Sequence, residues 1–356
     1  MNPQDSRTPK RMGEIDLIRF VCSVLMVYYH LTPKLSARFP DVELYAVLSK
    51  GNGMTGGIGV LCFFILSGLF FQVGREWEQG SFKDFTLKKA ARLWPVLAFS
   101  ILVNCHTTND VMNLFFINSG TGVISKASSN PGSWYVCVLF WLFLIYFLWF
   151  QNVKDQAPRG GSACLLIVTL LGFAVFAHRE SSAYCAIAVS TIPFLTNGVL
   201  SGVTGFSLGI LLGRINQRLR INNKYLVSVI QLILFGYFVR LTAFETARYE
   251  IPYYILVFSL LLYFILFQKG CTVVSNCTWL KRLGAWSYSI YMMQFPCFYY
   301  YGFLIDKGIF KAPPGVYVTV GIAGCVLIGI LTYYVIEKPA YQLYLSYINK
   351  CSDLGK

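Results

Sequence analysis

Apolar runs of about twenty residues, separated by short polar connectors, recur along the whole chain. About 20 consecutive apolar residues form a helix long enough to cross the hydrocarbon core of a bilayer. The pattern therefore predicts an all-α, polytopic helical membrane protein with about ten transmembrane helices. The predicted spans lie near residues 17–33, 57–73, 92–108, 134–151, 162–178, 197–213, 225–243, 251–268, 284–305 and 315–336.

The composition agrees with this class of protein. Hydrophobic residues make up 56% of the 356 residues, and charged residues make up only 13%. Soluble globular domains carry about 25% charged residues. Because no hydrophilic stretch is long enough for a separate soluble domain, we expect a single integral-membrane domain over residues 1–350. A short cytoplasmic tail at residues 351–356 is expected to follow it.

The distribution of basic residues predicts the orientation. The chain has 30 Lys and Arg against 16 Asp and Glu, a net charge of +14. When the N-terminus is placed in the cytoplasm, the cytoplasmic connectors carry about twice as many basic residues as the exterior ones, as the positive-inside rule requires. Both termini are thus predicted to be cytoplasmic. We attribute the net charge to topology and to contact with anionic membrane lipids, and we expect no nucleic-acid partner.

Cysteine and histidine give no sign of a metal centre. The chain has 11 cysteines, most of them inside apolar runs, and only 3 histidines. Small buried hydrophobic side chains account for such cysteines better than a disulfide framework does. We therefore expect no metal site.

The first predicted span carries two polar residues at membrane depth. Arg19 and His30 stand 11 positions apart in "IDLIRFVCSVLMVYYH". That is about three helical turns, so both lie on nearly one helix face, about 16 Å apart. Asp16 precedes Arg19 by three positions and is expected to pair with it. Charged side chains at this depth are costly and by default indicate function. A packing histidine and an interfacial arginine remain the alternatives.

Two further cations occur in "FTLKKAARLWP", residues 85–95. Lys89 and Arg92 are three positions apart and share a helix face, where the third span is predicted to begin. Such a pair suits a phosphate-bearing ligand, because arginine can bind phosphate through two hydrogen bonds. Anchoring by the positive-inside rule is the alternative interpretation.

Six motifs, in this order, resemble those of the acyltransferase 3 family of integral-membrane acyltransferases, of the polysaccharide and glycan O-acetyltransferase type. The first is the arginine, ten residues and histidine of the first span. The others are "GGIGVLCFFILSGLFF" (56–71), "FTLKKAARLWP", "GSWYVCVLFW" (132–141), "LGAWSYSIYMMQFP" (283–296) and "VIEKPAYQL" (335–343). Two positions depart from the family pattern. Lys89 replaces an arginine, and Gln294 stands where many members have a second histidine.

The resemblance implies transfer of an acyl group, usually acetyl, from acyl-CoA on the cytoplasmic side to a hydroxyl of a surface or lipid-linked glycan. It places the protein in the cytoplasmic (inner) membrane of a bacterium. Arg19, Lys89 and Arg92 would bind the CoA phosphates, and Arg19 would also be a catalytic residue. His30 would be the general base, a role that suits an imidazole near neutral pH. A covalent acyl-histidine is the alternative.

The oxyanion that forms on the thioester needs a hydrogen-bond donor. Helix packing and aromatic stripes explain serines and tyrosines in membrane spans equally well. Glu337, in the last motif, is expected to have a structural role. A multi-span transporter or flippase for a glycan or lipid intermediate is the alternative function. The candidates for oxyanion or substrate contacts are Ser67, Trp134, Tyr135, Tyr288, Tyr291 and Gln294.

Overall fold

All regular structure in the described part of the chain is helical. The computed structural model describes residues 12–50, 55–78, 80–123, 128–152, 158–178, 196–215, 221–243, 251–268, 270 and 277–354. The helices are α1 (Gly13–Arg38), α2 (Glu43–Lys50), α3 (Thr55–Val73), α4 (Phe82–Leu102), α5 (Thr108–Asn113), α6 (Ser133–Asn152), α7 (Pro158–His178), α8 (Asn197–Gly213), α9 (Lys224–Ala243), α10 (Ile251–Phe267), α11 (Thr278–Asp306), α12 (Pro314–Thr332) and α13 (Lys338–Leu354). A π-helical turn, Tyr333–Glu337, joins α12 to α13.

The prediction of an all-α membrane protein is confirmed in its main point. Each predicted span falls on a helix, in chain order. Four helical stretches of the described residues are long and apolar enough to cross a membrane, namely Gly13–Arg38, Ser133–Asn152, Lys224–Leu241 and Pro314–Ile348. The number of ten spans and the side on which the termini lie stay predictions. The expected domain boundary at residue 350 falls inside α13.

The third span begins and ends earlier than the predicted range of 92–108, because a capping box starts α4. The backbone N–H of Asp84 donates to Ser81 Oγ (3.2 Å), and the N–H of Ser81 donates to Asp84 Oδ2 (3.3 Å). These bonds satisfy two of the amide groups that a helix start leaves open. Lys89 and Arg92 therefore lie in the body of α4 rather than in front of it.

Helices α1 and α11 pack side by side and run in the same direction. Near their beginnings, Ser23 Oγ donates to the carbonyl oxygen of Ser287 (3.0 Å). At their ends, Arg38 Nε donates to Asp306 Oδ1 (2.7 Å) in an ion pair. Because the two helices are parallel, the face of α1 that carries Arg19 and His30 lies alongside one face of α11 over its whole length. We call the two ends of the bundle the Arg19 end and the His30 end.

Helix α12 runs against this pair and returns the chain to the Arg19 end. Gly321 of α12 lies against Tyr301, whereas Gly329, two turns later, lies against the backbone of Ile290. The π-helical turn that follows α12 is therefore placed at the Arg19 end, beside the first half of α11.

The core is closed by very tight packing of α3 on α8. A methyl group on Gly68 would lie 2.0 Å from the carbonyl oxygen of Phe206, and one on Gly209 would lie 2.0 Å from that of Ile65. Only glycine permits backbones to approach so closely, and small residues commonly mediate such contacts between membrane helices. This packing fixes the position of α3, which contributes residues to the cavity described next.

Candidate functional site

A cavity of about 140 Å³ lies at the Arg19 end, between α1, α3, α4, α6 and α11. The three predicted phosphate-binding residues and four of the predicted contact residues line it, although they come from distant parts of the chain. These residues are Arg19, Ser67, Lys89, Arg92, Tyr135, Tyr288 and Tyr291.

The three cations of the cavity are held in different ways. The Arg19 side chain is 22% exposed, and its Nη1 lies 3.8 Å from Asp16 Oδ1, as the sequence spacing predicts. Lys89 is buried, with its Nζ 3.7 Å from the ring centre of Phe143. The negative face of an aromatic ring attracts a cation, which allows an ammonium group at this depth. Arg92 is exposed. Of the two cations that α4 contributes, Lys89 thus lies inside the cavity and Arg92 lies at its rim.

Glu337 lies close to the cations of this cavity, and the structural role expected for it stays a prediction. Ser289 Oγ donates to Glu337 Oε2 (2.6 Å), and the carboxylate interacts electrostatically with Arg92 and Arg19. Glu337 ends the π-helical turn, whose extra residue changes the direction in which its side chains leave the helix. In the sequence, Glu337 stands in the motif "VIEKPAYQL" at the end of an apolar span.

The hydroxyl protons of two candidate oxyanion donors are already committed to backbone carbonyls. Tyr288 Oη donates to the carbonyl oxygen of Leu93 (2.6 Å). Tyr291 Oη donates to that of Gly132 (2.9 Å). In this arrangement, both tyrosines tie helices and loops together, and neither has a proton directed at the cavity.

Ser67 and Tyr135 form a hydroxyl pair on the cavity wall. Tyr135 hydrogen-bonds Ser67 side chain to side chain, and Ser67 Oγ donates to the carbonyl oxygen of Phe63 (2.7 Å). A hydroxyl can turn between partners at little cost. Of the predicted contacts, this pair is the best placed to donate to a group in the cavity.

His30 lies at the other end and does not line the cavity. Its Nδ1 is 3.0 Å from Gln294 Oε1. Its ring centre is 4.8 Å from those of both Tyr29 and Phe295. Because an amide oxygen only accepts hydrogen bonds, this contact requires the tautomer with the ring proton on Nδ1, and His30 also hydrogen-bonds the backbone of Met26. Gln294 thus orients His30 instead of presenting its oxygen to a substrate.

Tyr291 links the cavity to the loop beside His30. Its ring lines the cavity, while its hydroxyl reaches Gly132 in the loop before α6. A methyl group on Gly132 would lie 3.3 Å from Gln294 Nε2 and 3.1 Å from the ring of Phe295. The loop therefore rests directly on the residues that hold His30.

Polar side chains absent from the sequence prediction build that loop. Asn130 Nδ2 donates to Ser100 Oγ (3.0 Å) and to the carbonyl oxygen of Met292 (3.1 Å). Asn130 is 1% exposed, and its Oδ1 has no hydrogen-bond partner. A buried amide oxygen without a partner is unusual and requires an explanation. Nothing in the local sequence distinguishes Asn130 from an ordinary loop asparagine.

Asp110 anchors the same loop. Its Oδ2 accepts from the N–H groups of His106 (2.9 Å) and Thr107 (2.8 Å), and its Oδ1 accepts from the N–H of Ser129 (2.6 Å). Burial acts to raise the pKa of Asp110, but these bonds outweigh it and hold the pKa below its ordinary value. The ionised carboxylate is therefore part of the folded loop.

Trp134 lies away from the cavity. A methyl group on Gly120 would lie 2.7 Å from its Cβ, and one on Gly198 would lie 3.0 Å from its ring. Trp134 packs a 3₁₀ turn against α8, and nothing directs it toward a substrate.

A larger groove of about 550 Å³ lies between α4, α11 and α12. No charged residue lines it, so it offers no phosphate site, and its titratable side chains are the cysteines and tyrosines Cys297, Cys325, Tyr300 and Tyr301. Within the described ranges, no group of three His, Cys, Asp or Glu side chains is arranged to hold a metal ion.

Comparison with known proteins identifies the family. The family model described as an acyltransferase domain, Acyl_transf_3, matches residues 12–334. A search of curated proteins and a search of solved structures gave no match. The family predicted from the six motifs is thus confirmed, and the chain belongs to the acyltransferase 3 family.

Proposed function

We propose that this member of the acyltransferase 3 family transfers an acyl group, most simply acetyl, from acyl-CoA to a hydroxyl of a surface or lipid-linked glycan. The donor binds at the Arg19 end, which faces the cytoplasm. The acceptor binds at the His30 end, which faces the exterior. The protein resides in the cytoplasmic (inner) membrane of a bacterium, in contact with anionic lipids at its basic end.

One observation carries this proposal: Arg19, Lys89 and Arg92 converge on a single cavity. Three cations around one cavity form a site for a polyanion, and the phosphates of CoA fit that description. Positive-inside anchoring would place these side chains in the headgroup region, whereas Lys89 is 7% exposed and packs on an aromatic ring. The Lys89 side chain thus favours the phosphate interpretation over simple anchoring.

In the proposed reaction, His30 Nε2 takes the proton of the acceptor hydroxyl as its oxygen attacks the thioester carbonyl. The C–S bond then breaks, and CoA leaves as a thiolate that is subsequently protonated. The acyl group is then joined to the acceptor oxygen through the new C–O bond, and the product is an ester. Gln294 holds the proton on Nδ1, so that Nε2 is the basic atom. General-base catalysis of this kind typically accelerates a reaction by about 10²–10⁴-fold.

The test uses the purified protein in lipid nanodiscs with radiolabelled acetyl-CoA and p-nitrophenyl glycosides as acceptors. Release of CoA and binding of CoA are measured in parallel for wild type, His30→Ala and His106→Ala. His106 is a matched control, because it also lies at the His30 end, where its Nε2 is 3.0 Å from Asn104 Oδ1. We expect wild type and His106→Ala to release CoA, and His30→Ala to bind CoA without releasing it.

Two results would contradict the proposal. If wild type does not bind CoA, the polyanion site has another ligand, and glycan or lipid flux in vesicles without acyl-CoA would then establish the transporter alternative. If His30→Ala releases CoA at the wild-type rate, His30 is not the base.

A further inference from the structure

Lys34 lies one helical turn beyond His30 on the same side of α1. Residues four positions apart on a helix are neighbours, separated by about 6 Å along the axis. Lys34 is exposed, and its Nζ lies 5.9 Å from the ring centre of Phe295. The same ring lies 4.8 Å from the ring of His30. Phe295 is thus the common neighbour of the proposed base and a cation.

No acid neutralises this cation in the described ranges. One turn further along α1, the carboxylate of Asp306 pairs with Arg38. The charged or titratable neighbours of Lys34 are Arg38 and His30, neither of which is an acid. In the proposed orientation Lys34 is also exterior, so the positive-inside rule does not account for it.

A second feature beside His30 also calls for a ligand. Gln294 is 0% exposed, its Oε1 is used by His30, and its Nε2 has no hydrogen-bond partner. A buried amide group with two unused N–H bonds is costly unless a ligand or water accepts them. The partly exposed rings of Tyr29 and Phe295 flank the imidazole and offer apolar faces, which suit the C–H face of a sugar.

From these observations we propose that the His30 end holds an acceptor subsite for an acidic sugar, in which Lys34 binds an anionic group of the sugar. Gln294 Nε2 donates to a hydroxyl or ring oxygen, and Phe295 contacts the sugar face. The inference rests on the proposed function and adds the class of acceptor to it. The anionic group is a carboxylate or a phosphate, two groups that share the same attraction to an ammonium.

The test compares three acceptors that differ only at carbon 6. They are p-nitrophenyl β-glucoside, the corresponding glucuronide and the corresponding 6-phosphate. Transfer of radiolabelled acetyl groups is measured for wild type, Lys34→Gln and Lys307→Gln in nanodiscs. Lys307 is the matched control, because it is exposed at the His30 end with its Nζ 5.8 Å from the ring centre of Phe303 and away from His30.

We expect wild type to have a higher kcat/KM with an acidic acceptor than with the glucoside. Lys34→Gln should lower that ratio by about tenfold or more, as expected for loss of a hydrogen bond between charged groups. Lys307→Gln should leave it unchanged. The preferred acid, glucuronide or 6-phosphate, identifies the anionic group.

The outcomes separate the two proposals. A wild-type protein that uses the neutral glucoside as well as the acids, or an unchanged ratio in Lys34→Gln, overturns the acidic subsite and leaves Lys34 as an interfacial lysine. Acetyl transfer itself would still stand in that case. Failure of wild type to bind CoA in the experiment above would instead remove the proposed function.

Discussion

Replacing Lys89 by methionine should weaken the binding of CoA without weakening the fold. The Lys89 ammonium is inside the cavity, 3.7 Å from the ring centre of Phe143 and 5.2 Å from that of Phe85. Methionine has a similar length and is apolar, so it fills the same space between the two rings. The substitution therefore removes the charge while the packing around α4 is kept.

The two effects have opposite signs and estimable sizes. A hydrogen bond between charged groups contributes about 1.5–3 kcal/mol, so losing one to a phosphate raises the Kd for CoA roughly ten- to a hundredfold. For the fold, burying an ammonium costs several kcal/mol. The cation–π contacts return about 2 kcal/mol. The substitution removes both the cost of burying the ammonium and the gain from the cation–π contacts. The free energy of unfolding should therefore stay unchanged or rise by about 1 kcal/mol.

The assay is calorimetric titration of CoA, with thermal unfolding of the same samples in detergent. Lys88→Met is the matched control, because Lys88 is adjacent in sequence and does not line the cavity. We expect only Lys89→Met to raise the Kd, with no fall in its Tm. A wild-type Kd in Lys89→Met would show that the cavity cations do not bind the donor phosphates. A Tm lowered by many degrees would show that Lys89 instead holds α4 in place.

Three further predictions concern the core, the loop and the orientation of His30. Gly209→Ala should lower the Tm, because its Cβ would lie 2.0 Å from the carbonyl oxygen of Ile65, whereas Gly236→Ala, with nothing within 4 Å, should not; overpacking typically costs about 1–3 kcal/mol. Asp110→Asn should increase hydrogen exchange at residues 104–113. In wild type, the folded-state pKa of Asp110 is held low, so its stabilisation is present above its unfolded pKa of about 3.9 and is lost as pH falls through the folded value. Wild-type exchange should thus approach that of the variant only in acid, and equal rates near neutral pH would refute the role. Gln294→Met should lower kcat by about tenfold or more with an unchanged Kd for CoA, because the imidazole loses the group that fixes its proton; a wild-type kcat would mean that Gln294 does not orient His30.

The sequence predicted the elements of this protein well, because hydrophobic runs are local signals. It also predicted the convergence of Arg19, Lys89 and Arg92, which depends on family motifs. The start of α4 was misplaced, since the capping box of Ser81 lies upstream of the apolar run and gives no hydropathy signal. The contact of Glu337 with Ser289 could not be predicted, because it depends on a π-helical turn that brings the carboxylate to a residue 48 positions earlier in the chain.

The spacing of Arg19 and His30 predicted a shared face but not what stands between them. Whether two sites on one helix share a cavity depends on side chains from other helices, and these are set by tertiary packing. One such side chain is Tyr291, which lines the cavity and whose hydroxyl partner, Gly132, is 159 positions away in sequence. No local pattern encodes such a contact.

That arrangement has a consequence for the proposed reaction. Ser287, Tyr291 and Gln294 are four and three positions apart and share one face of α11, which leads from the cavity to His30. Arg19 and His30 are about 16 Å apart along α1. In the proposed reaction, a pantetheine arm that enters beside Arg19 would pass the Tyr291 ring before its thioester reaches His30. Displacement of that ring would break the hydrogen bond to Gly132, and Gly132 belongs to the loop that rests on Gln294. If the proposed reaction holds, movement of Tyr291 would therefore couple the arrival of the donor at His30 to the position of the loop above Gln294.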